Sequence, residues 1–225
     1  MKKIMTLSVA VCMSLILLSC QKEVDSSEKI NDILENETYM KIELGEDYHQ
    51  SAVLFALQEE KAVVPKDVKW GLPKYRKKDT IGVSFGEEGT EIYKADGEMY
   101  PELYVESYLA SIKNLDLSVK EVKDRNYSVK IADKEQLKWF EEELYMVSTL
   151  VIGDSYELSG VTVEFDREYR PVKKIFQLKK KNNTILGDEE DDSKKCIQKI
   201  SYDVGKLKFN RQFHQVENLI GRDKK

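Results

Sequence analysis

The last third of the chain constrains the fold most, because its apolar residues recur at every second position. In GVTVEFD (160–166) valine and phenylalanine alternate with threonine and glutamate, which predicts a strand with one buried face. RPVKKIFQLKKK (170–181) and KKCIQKISYDV (194–204) predict further strands, and KLKFNRQF (206–213) favours one more. Polar turn segments separate them. The pattern predicts an antiparallel meander rather than the strand–helix alternation of a parallel sheet.

Helical periodicity is clearest in DKEQLKWFEEELYMVSTLV (133–151). Asp133 can cap this helix, with Gln136 three residues later as in a capping box. The acidic run Glu141-Glu142-Glu143 is expected to face away from the core. The apolar residues at three- and four-residue spacing are predicted to face it: Leu137, Phe140, Leu144, Val147 and Val151.

The first half of the chain is more ambiguous. HQSAVLFALQEEKAVV (49–64) favours a helix that ends before Pro65, with a buried strand as the alternative. EIYKADGEMY (91–100) predicts a hairpin around Asp96-Gly97, and PELYVESYLASIKN (101–114) predicts a helix that begins at its proline. Shorter segments predict a first helix within 29–35 and strands at 38–44 and 127–131.

These elements predict an α+β fold in which helices pack on one face of an antiparallel sheet that ends in a C-terminal meander. Residues 30–225 have the length of a single domain. If a subdomain boundary exists, it lies at 65–80, where prolines, a glycine and six basic residues are concentrated.

The N-terminal residues are organised as an export signal. Lys2 and Lys3 precede an uncharged, mostly apolar stretch at 4–18, which is shorter than the about twenty residues of a typical transmembrane helix. The polar run QKEVDSSEK then begins at residue 21. We therefore expect a signal peptide at 1–19 and a short tether at 20–29.

The junction Leu17-Leu18-Ser19-Cys20 resembles the lipobox of bacterial lipoproteins. The resemblance implies that the signal peptidase recognises Leu17, Leu18 and Ser19, and that Cys20 becomes the lipidated N-terminus. Two acyl chains on Cys20 would then hold the protein on the extracytoplasmic face of the cell membrane. The alternative is an uncleaved membrane anchor in which Cys20 is incidental.

Cysteine usage and charge narrow the class of protein further. Once Cys12 leaves with the signal and Cys20 carries lipid, Cys196 remains alone. The mature domain can then form no internal disulfide, and Cys196 reads as a small buried hydrophobe. The whole chain has a net charge of −5, or about −7 without Lys2 and Lys3, which argues against nucleic acid as the main partner.

Residues 82–86 read GVSFG and match the G-x-S-x-G pattern of serine hydrolases. A nucleophile elbow needs a buried strand before the serine and a helix after it. The sequence after Ser84 is glycine-rich and then alternates like a strand, so we interpret it as a strand that ends in a turn. A serine hydrolase that uses Ser84 and His214 is the enzymatic alternative to a non-catalytic protein.

The sequence also bears on metal sites, cofactor sites and basic surfaces. His49 and His214 lie far apart in the sequence, and neither a zinc spacing nor an EF-hand spacing occurs, even in GDEEDD (187–192). We therefore expect no metal and no cofactor. The basic segments 66–78 and 170–181 read as guarded strand edges, or alternatively as contacts to anionic lipid.

Four tyrosines form the remaining candidate for a ligand surface, because tyrosine combines an apolar face with a polar tip. They are Tyr93, Tyr100, Tyr104 and Tyr108. The alternative is that these rings belong to the core and its edge.

A lipobox followed by an antiparallel sheet with helices against it resembles LolA/LppX-like small lipoproteins. The resemblance rests also on EIYKADGEMY and VTVEFDREYRPVKKIFQL. It implies a curved sheet, closed by helices, that accepts an apolar ligand. The predicted function is a membrane-anchored, non-catalytic envelope lipoprotein that binds an apolar small molecule or an envelope protein; a purely structural envelope domain is the other alternative. The released signal fragment has no role that its sequence compels.

Overall fold

The computed structural model describes residues 25–46, 49–66, 72–95, 99–113, 115–117, 121–123, 126–147, 156–181 and 194–222. Several predictions fall outside these ranges: the signal peptide, the lipidation site Cys20, the acidic run 187–192, the hairpin turn Asp96-Gly97, and Val151. They stay predictions.

The eleven described strands form one antiparallel sheet in the order β6-β5-β4-β3-β2-β1-β11-β10-β9-β8-β7. The last strand, β11, pairs with the first, β1, so two meanders join in the middle of the sheet. The strands are β1 (Tyr39–Glu46), β2 (His49–Ala56), β3 (Lys61–Val64), β4 (Lys74–Lys77), β5 (Thr80–Ser84), β6 (Thr90–Lys94), β7 (Glu121–Lys123), β8 (Asn126–Ile131), β9 (Tyr156–Phe165), β10 (Pro171–Lys180) and β11 (Lys194–Ser201).

The described helices are α1 (Ser26–Asn36), α2 (Glu106–Leu109), α3 (Lys134–Val147) and α4 (Lys206–Arg222). Short 3-10 turns occupy Leu57–Glu59, Gly86–Glu88, Pro101–Leu103 and Ala110–Ile112. The predicted α+β class with an antiparallel sheet is confirmed. Within the described residues, no helix has the length and apolar character needed to cross a membrane.

One face of the sheet carries the main core. We call α1, residues 101–113 and α3 together the helix layer, because their buried side chains share one cluster with the strands beneath them. Residues that alternate along each strand supply the sheet's share, such as Met40 and Ile42 of β1. Burying each large apolar side chain contributes about 1.5–3 kcal/mol of free energy, and this gain holds the two layers together.

Helix α4 packs on the other face of the sheet, where the sequence favoured a strand at 206–213. Its buried residues Phe209, Phe213, Val216 and Ile220 follow helical spacing. They meet residues of β2 to β4 that point away from the helix layer, including Tyr75, whose ring centroid lies 5.5 Å from that of Phe213. The strand prediction was wrong because Leu207 and Phe209 alternate with lysines only over a short run; Leu207 is 87% exposed.

Two predictions for the first half need correction. Residues 49–64 form β2, a 3-10 turn and β3, so the strand alternative was right and the helix wrong. Residues 101–114 do not form one helix, because 3-10 turns at 101–103 and 110–112 flank the single turn of α2. Of the predicted hairpin at 91–100, β6 pairs with β5, and Tyr100 adopts a left-handed conformation before Pro101; its turn lies outside the described residues, so the hairpin stays a prediction.

Polar contacts fix the ends of the helix layer. Ser26 Oγ donates to the carbonyl oxygens of Lys113 (2.8 Å) and Leu115 (2.9 Å) at the start of α1. At its other end, Arg170 Nη1 donates to Glu37 Oε1 at 2.7 Å, which links α1 to the turn between β9 and β10. The start of α1 is thus tied to Lys113 and Leu115, and its end to the sheet.

Candidate functional site

A group of polar side chains lies in the core between the helix layer and the sheet. Lys174 of β10, Gln198 of β11, Glu143 of α3 and Ser111 are all buried, with at most 3% of their surface exposed. We call these four residues the buried polar cluster. Lys174 Nζ lies 2.6 Å from Glu143 Oε1 and 2.7 Å from Oε2, so the ammonium bonds both oxygens of the carboxylate.

The hydrogen bonds of the cluster converge on the carboxylate. Glu143 Oε1 accepts from Gln198 Nε2 at 3.2 Å, and Oε2 accepts from the Ser111 hydroxyl. Lys174 Nζ also donates to the backbone oxygen of Tyr108 and lies 3.4 Å from Ser111 Oγ. Buried charges persist in proteins when they are paired and hydrogen-bonded in this way.

One polar atom of the cluster is left over. Gln198 Oε1 is buried and has no hydrogen-bond partner among the described residues. Turning the amide over would aim its oxygen at the Glu143 carboxylate, so the carboxylate fixes the orientation. Buried polar atoms without a partner are rare and costly, which marks this position as unusual.

Burial dominates the titration of the pair. Burial raises the pKa of Glu143, against the lowering effect of Lys174 and of its hydrogen bonds. Burial lowers the pKa of Lys174, against the raising effect of Glu143. Each charge is therefore retained because of the other, and removing one partner would leave the second without compensation.

Strand register and helix spacing explain why these residues meet. Lys174 and Gln198 are direct partners across β10 and β11, so both point to the same face of the sheet. On α3, Glu143 is three residues from Phe140 and four from Val147, so it lies on their buried side. The expectation that the whole acidic run faces outward is wrong for Glu143, and right for Glu141 and Glu142.

The outer side of α3 is as unusual as its inner side. Trp139 is 37% exposed, Met146 42% and Tyr145 77%. A surface helix normally hides its apolar side chains and exposes its charges, whereas α3 hides Glu143 and exposes three large apolar or aromatic residues. The predicted inward residues Leu137, Phe140, Leu144 and Val147 are buried as expected, and Asp133 caps the helix by accepting from Gln136 N at 3.1 Å.

Of the four tyrosines predicted as a ligand surface, two lie together, and a third packs on the same strand, β4, as one of these two. The ring centroids of Tyr93 and Tyr100 are 6.0 Å apart. Lys74 Nζ lies 4.8 Å from the centroid of Tyr100, and the Arg76 guanidinium lies 4.1 Å from that of Tyr104. All three rings are half-buried. The protein's own cations therefore cover two of these rings.

Tyr108 belongs to the core instead. Its ring is buried and meets the ring of Phe55 edge-on at 5.9 Å, and its hydroxyl donates to the Glu102 carbonyl oxygen at 3.1 Å. Burial raises its pKa well above the usual value. Because its backbone oxygen accepts from Lys174, Tyr108 connects this region to the buried polar cluster.

Ser84 ends β5 and is buried, with 3% of its surface exposed. The residues after it form a 3-10 turn at Gly86–Glu88 and then β6, where a nucleophile elbow would need a helix. Gly86 and Gly89 have φ values of +69° and +103°, which explains the glycines of this turn. The local structure is the strand-and-turn that the sequence suggested.

His214 lies on the exposed side of α4. Its Nδ1 is 3.3 Å from Glu217 Oε2, and Lys77 Nζ donates to the other carboxylate oxygen at 3.0 Å. Burial raises the pKa of Glu217, but the hydrogen bonds from Lys77 and His214 outweigh it and lower the pKa overall. Thr90, the cross-strand neighbour of Ser84, donates from its hydroxyl to the carbonyl oxygen of Ile220. Ile220 and His214 lie about 9 Å apart along the axis of α4.

The buried polar cluster was missed by the sequence reasoning, although a signal was present. In PVKKIFQL the alternating positions 174, 176 and 178 hold Lys, Phe and Leu, and the apolar members predict that this set faces inward. Cys196, predicted to be buried, is fully buried in the same core. Among the described residues, no three His, Cys, Asp or Glu side chains come together as metal ligands would.

No protein-family model matches the chain, and no curated protein sequence matches it. Among solved structures, it is similar to the crystal structure of the lipoprotein LppX of Mycobacterium tuberculosis. The two are 12% identical, with 80% of this chain and 97% of that chain covered and a TM-score of 0.42.

Proposed function

We propose that the protein is a lipoprotein, anchored to the extracytoplasmic face of the cell membrane through Cys20, that binds an apolar ligand between its helix layer and its sheet. The sequence Leu17-Leu18-Ser19-Cys20 supports the anchor. The ligand site is supported by α3, which buries Glu143 and exposes three large apolar or aromatic side chains, and this single observation carries the proposal.

These two features of α3 have an energetic cost. Exposing Trp139 and Met146 gives up part of the about 1.5–3 kcal/mol that burying each would contribute, and burying Glu143 requires desolvation of a carboxylate. Both costs fall on one helix. A helix that separates from the sheet relieves the second cost, because Glu143 reaches water. The inward apolar side chains of α3 then need a ligand as their new contact.

The main core supplies the apolar surface that such a ligand would need. Phe176 of β10 and Val161 and Val163 of β9 lie on the sheet face beneath the helix layer, and Phe140 of α3 meets Phe176 at 6.5 Å between ring centroids. When α3 moves away, these sheet residues form an apolar floor. An alkyl chain laid on this floor would replace the contacts of α3.

The anchor is tested by cell fractionation of Cys20→Ser against the wild type. The expected result is loss of the protein from the membrane fraction, because the acyl chains can no longer be attached. Cys196→Ser serves as the matched control and should remain in the membrane fraction. Equal retention of Cys20→Ser and wild type would contradict the anchor.

The ligand is tested by native mass spectrometry on residues 21–225 after exposure to an envelope lipid extract. We expect an adduct that leaves on denaturation. Trp139 gives a second readout in a Trp70→Phe background, because its fluorescence should change when α3 changes its surroundings. A bare protein mass with unchanged fluorescence would reject the carrier function and leave a partner-binding domain as the account.

The serine-hydrolase alternative makes the opposite prediction for Ser84. A fluorophosphonate probe should label the wild type and spare Ser84→Ala if that serine is a nucleophile. We expect no labelling of either protein, because the hydroxyl is buried and is followed by a turn and a strand. Labelling that depends on Ser84 would replace our proposal with the enzymatic one.

A further inference from the structure

We infer that the ligand carries a carboxylate head, and that this head binds Lys174 and Gln198 in the place now held by Glu143. The inference rests on the proposed function and adds the chemical class of the ligand. The ligand is thereby an alkyl carboxylate of the fatty-acid type. Helix α3 acts as a lid whose own carboxylate fills the head-group site when no ligand is bound.

The sheet alone builds a receptor for a carboxylate. Lys174 and Gln198 are register partners on two adjacent strands in the interior of the sheet, so their spacing is fixed by backbone pairing. Both donate to one carboxylate, the ammonium at 2.6 and 2.7 Å and the amide at 3.2 Å. The carboxylate comes from the other layer, on α3.

A ligand carboxylate can make the same bonds as Glu143 does. The exchange replaces one buried anion by another, so Lys174 keeps a partner throughout and pays no new desolvation cost. Glu143 moves into water with the lid, where a free carboxylate is stable. A neutral head such as an alcohol leaves the buried ammonium without a counter-charge, which is the costly state.

The surroundings of the receptor match an alkyl chain. Lys174 Nζ lies 5.8 Å from the centroid of the Phe140 ring, and Phe176 and Cys196 flank Lys174 and Gln198 along the same strands. All three are fully buried. A ligand that reaches the two donors must therefore bring an apolar body with it.

The leftover acceptor Gln198 Oε1 is a second observation that points to a ligand. Its amide is held by the carboxylate on one side and has no partner among the described residues on the other. A carboxylate head only accepts hydrogen bonds, but a water that enters with it can donate to this oxygen. The site is therefore not completed by the described part of the chain itself.

The test compares dodecanoate with dodecanol, which share a chain length and differ in head-group charge, on delipidated residues 21–225. We expect dodecanoate to bind about tenfold tighter or more at neutral pH, because only its head pairs with the ammonium. Gln198→Leu should reduce this preference in part. The double variant Lys174→Met/Glu143→Leu removes both charges together, which keeps the core apolar, and should bind the two ligands equally.

Glu143→Gln gives the most diagnostic result. Because it weakens the lid's own hold on the receptor, it should bind dodecanoate tighter than the wild type, by about tenfold. A purely structural role for Glu143 predicts no gain. Glu142→Gln, on the exposed side of the same helix, is the matched control and should leave both affinities unchanged.

The outcomes separate the inference from the proposed function. Equal binding of the two ligands by the wild type, or tighter binding of the alcohol, overturns the carboxylate head and leaves the carrier function standing. If neither ligand binds and no adduct forms from lipid extract, the carrier function itself fails. A preference for dodecanoate that survives the double variant also overturns the inference, because the head would then bind elsewhere.

Discussion

Removing one member of the Lys174–Glu143 pair should destabilise the fold far more than removing both. In Glu143→Leu the ammonium stays buried with the Tyr108 oxygen and the distant Ser111 hydroxyl as its remaining partners. In Lys174→Met the carboxylate stays buried with the bonds from Ser111 and Gln198. Each single variant therefore isolates one uncompensated charge in the core.

The magnitude follows from the burial of both groups. Breaking a fully buried ion pair from one side costs about 3–5 kcal/mol, which is a large part of the about 5–15 kcal/mol that stabilises a typical domain. The double variant Glu143→Leu/Lys174→Met removes the charges and keeps similar side-chain volumes. It loses the hydrogen bonds to Ser111, Gln198 and Tyr108, so we expect its free energy of unfolding to lie within about 2 kcal/mol of the wild-type value.

The assay is urea unfolding of residues 21–225, followed by circular dichroism, for the wild type, the two single variants and the double variant. The coupling free energy of the resulting cycle should be about 3 kcal/mol or more. Glu142→Gln, which alters an exposed carboxylate on the same helix, should change the unfolding free energy by less than about 0.5 kcal/mol.

Two results would refute this reasoning. Single variants that lose less than about 1 kcal/mol would mean that water reaches the pair and solvates the remaining charge. A double variant as unstable as the sum of the singles would mean that the residues contribute independently, so that the cluster is not an ion pair between layers.

Three further predictions concern other parts of the fold. Phe213→Ala should lower the free energy of unfolding by about 3–5 kcal/mol in urea, because it empties the centre of the α4 interface; a loss below about 1 kcal/mol would mean that α4 is not docked. Gly82→Ala should destabilise by about 1–3 kcal/mol, since its Cβ would lie 2.4 Å from Tyr75 Cε1, whereas Gly221→Ala meets open space and should be neutral; equal effects would contradict this packing. The folded-state pKa of Glu217 is lowered, so the unfolded state binds more protons near that pH. Stability is therefore lost as the pH falls from the usual carboxyl pKa of about 4.5 through the folded-state pKa. Glu217→Gln should flatten this part of the curve of stability against pH, and an unchanged slope there would contradict the prediction.

The sequence predicts those elements whose periodicity runs long and unbroken. Buried and less buried residues alternate over at least five consecutive positions in each of β9, β10 and β11, and α3 repeats its apolar residues over four turns, so local pattern and burial agree there. The α+β class follows from these elements alone. The order of the strands does not, because the pairing of β11 with β1 joins residues more than 150 positions apart.

The wrong predictions have a shared physical cause. In 206–213 and 49–64 the apolar residues are compatible with both periods over a few residues, and the choice is made by tertiary contact. The amphipathic pattern of α4 becomes visible in the sequence only when the apolar residues are followed as far as Ile220. Likewise, 49–64 is apolar enough for a buried helix, and its two strands are explained by pairing with β1 and β4.

The site was harder to predict than the fold, because its members read as surface residues. A lysine next to another lysine on β10, and a glutamate at the end of an acidic run, normally belong to solvated faces. What distinguishes Lys174 from Lys173 is the set of alternating neighbours, and what distinguishes Glu143 from Glu142 is its spacing from Phe140 and Val147. Reading charges by register rather than by composition would have found both.

The position of the ion pair between layers, rather than within one, connects stability to binding. A pair inside the sheet would persist whatever the helices did, but Lys174 and Glu143 meet only while α3 lies on the sheet. The free energy that couples them is therefore the same free energy against which a ligand carboxylate competes. It follows that the unfolding cycle and the binding measurements must move together: a substitution on α3 that weakens the coupling and leaves the sheet intact must strengthen carboxylate binding by a corresponding factor. A substitution on α3 that weakens both the coupling and the binding of carboxylate would show that the stability of the lid and the occupancy of the site are independent.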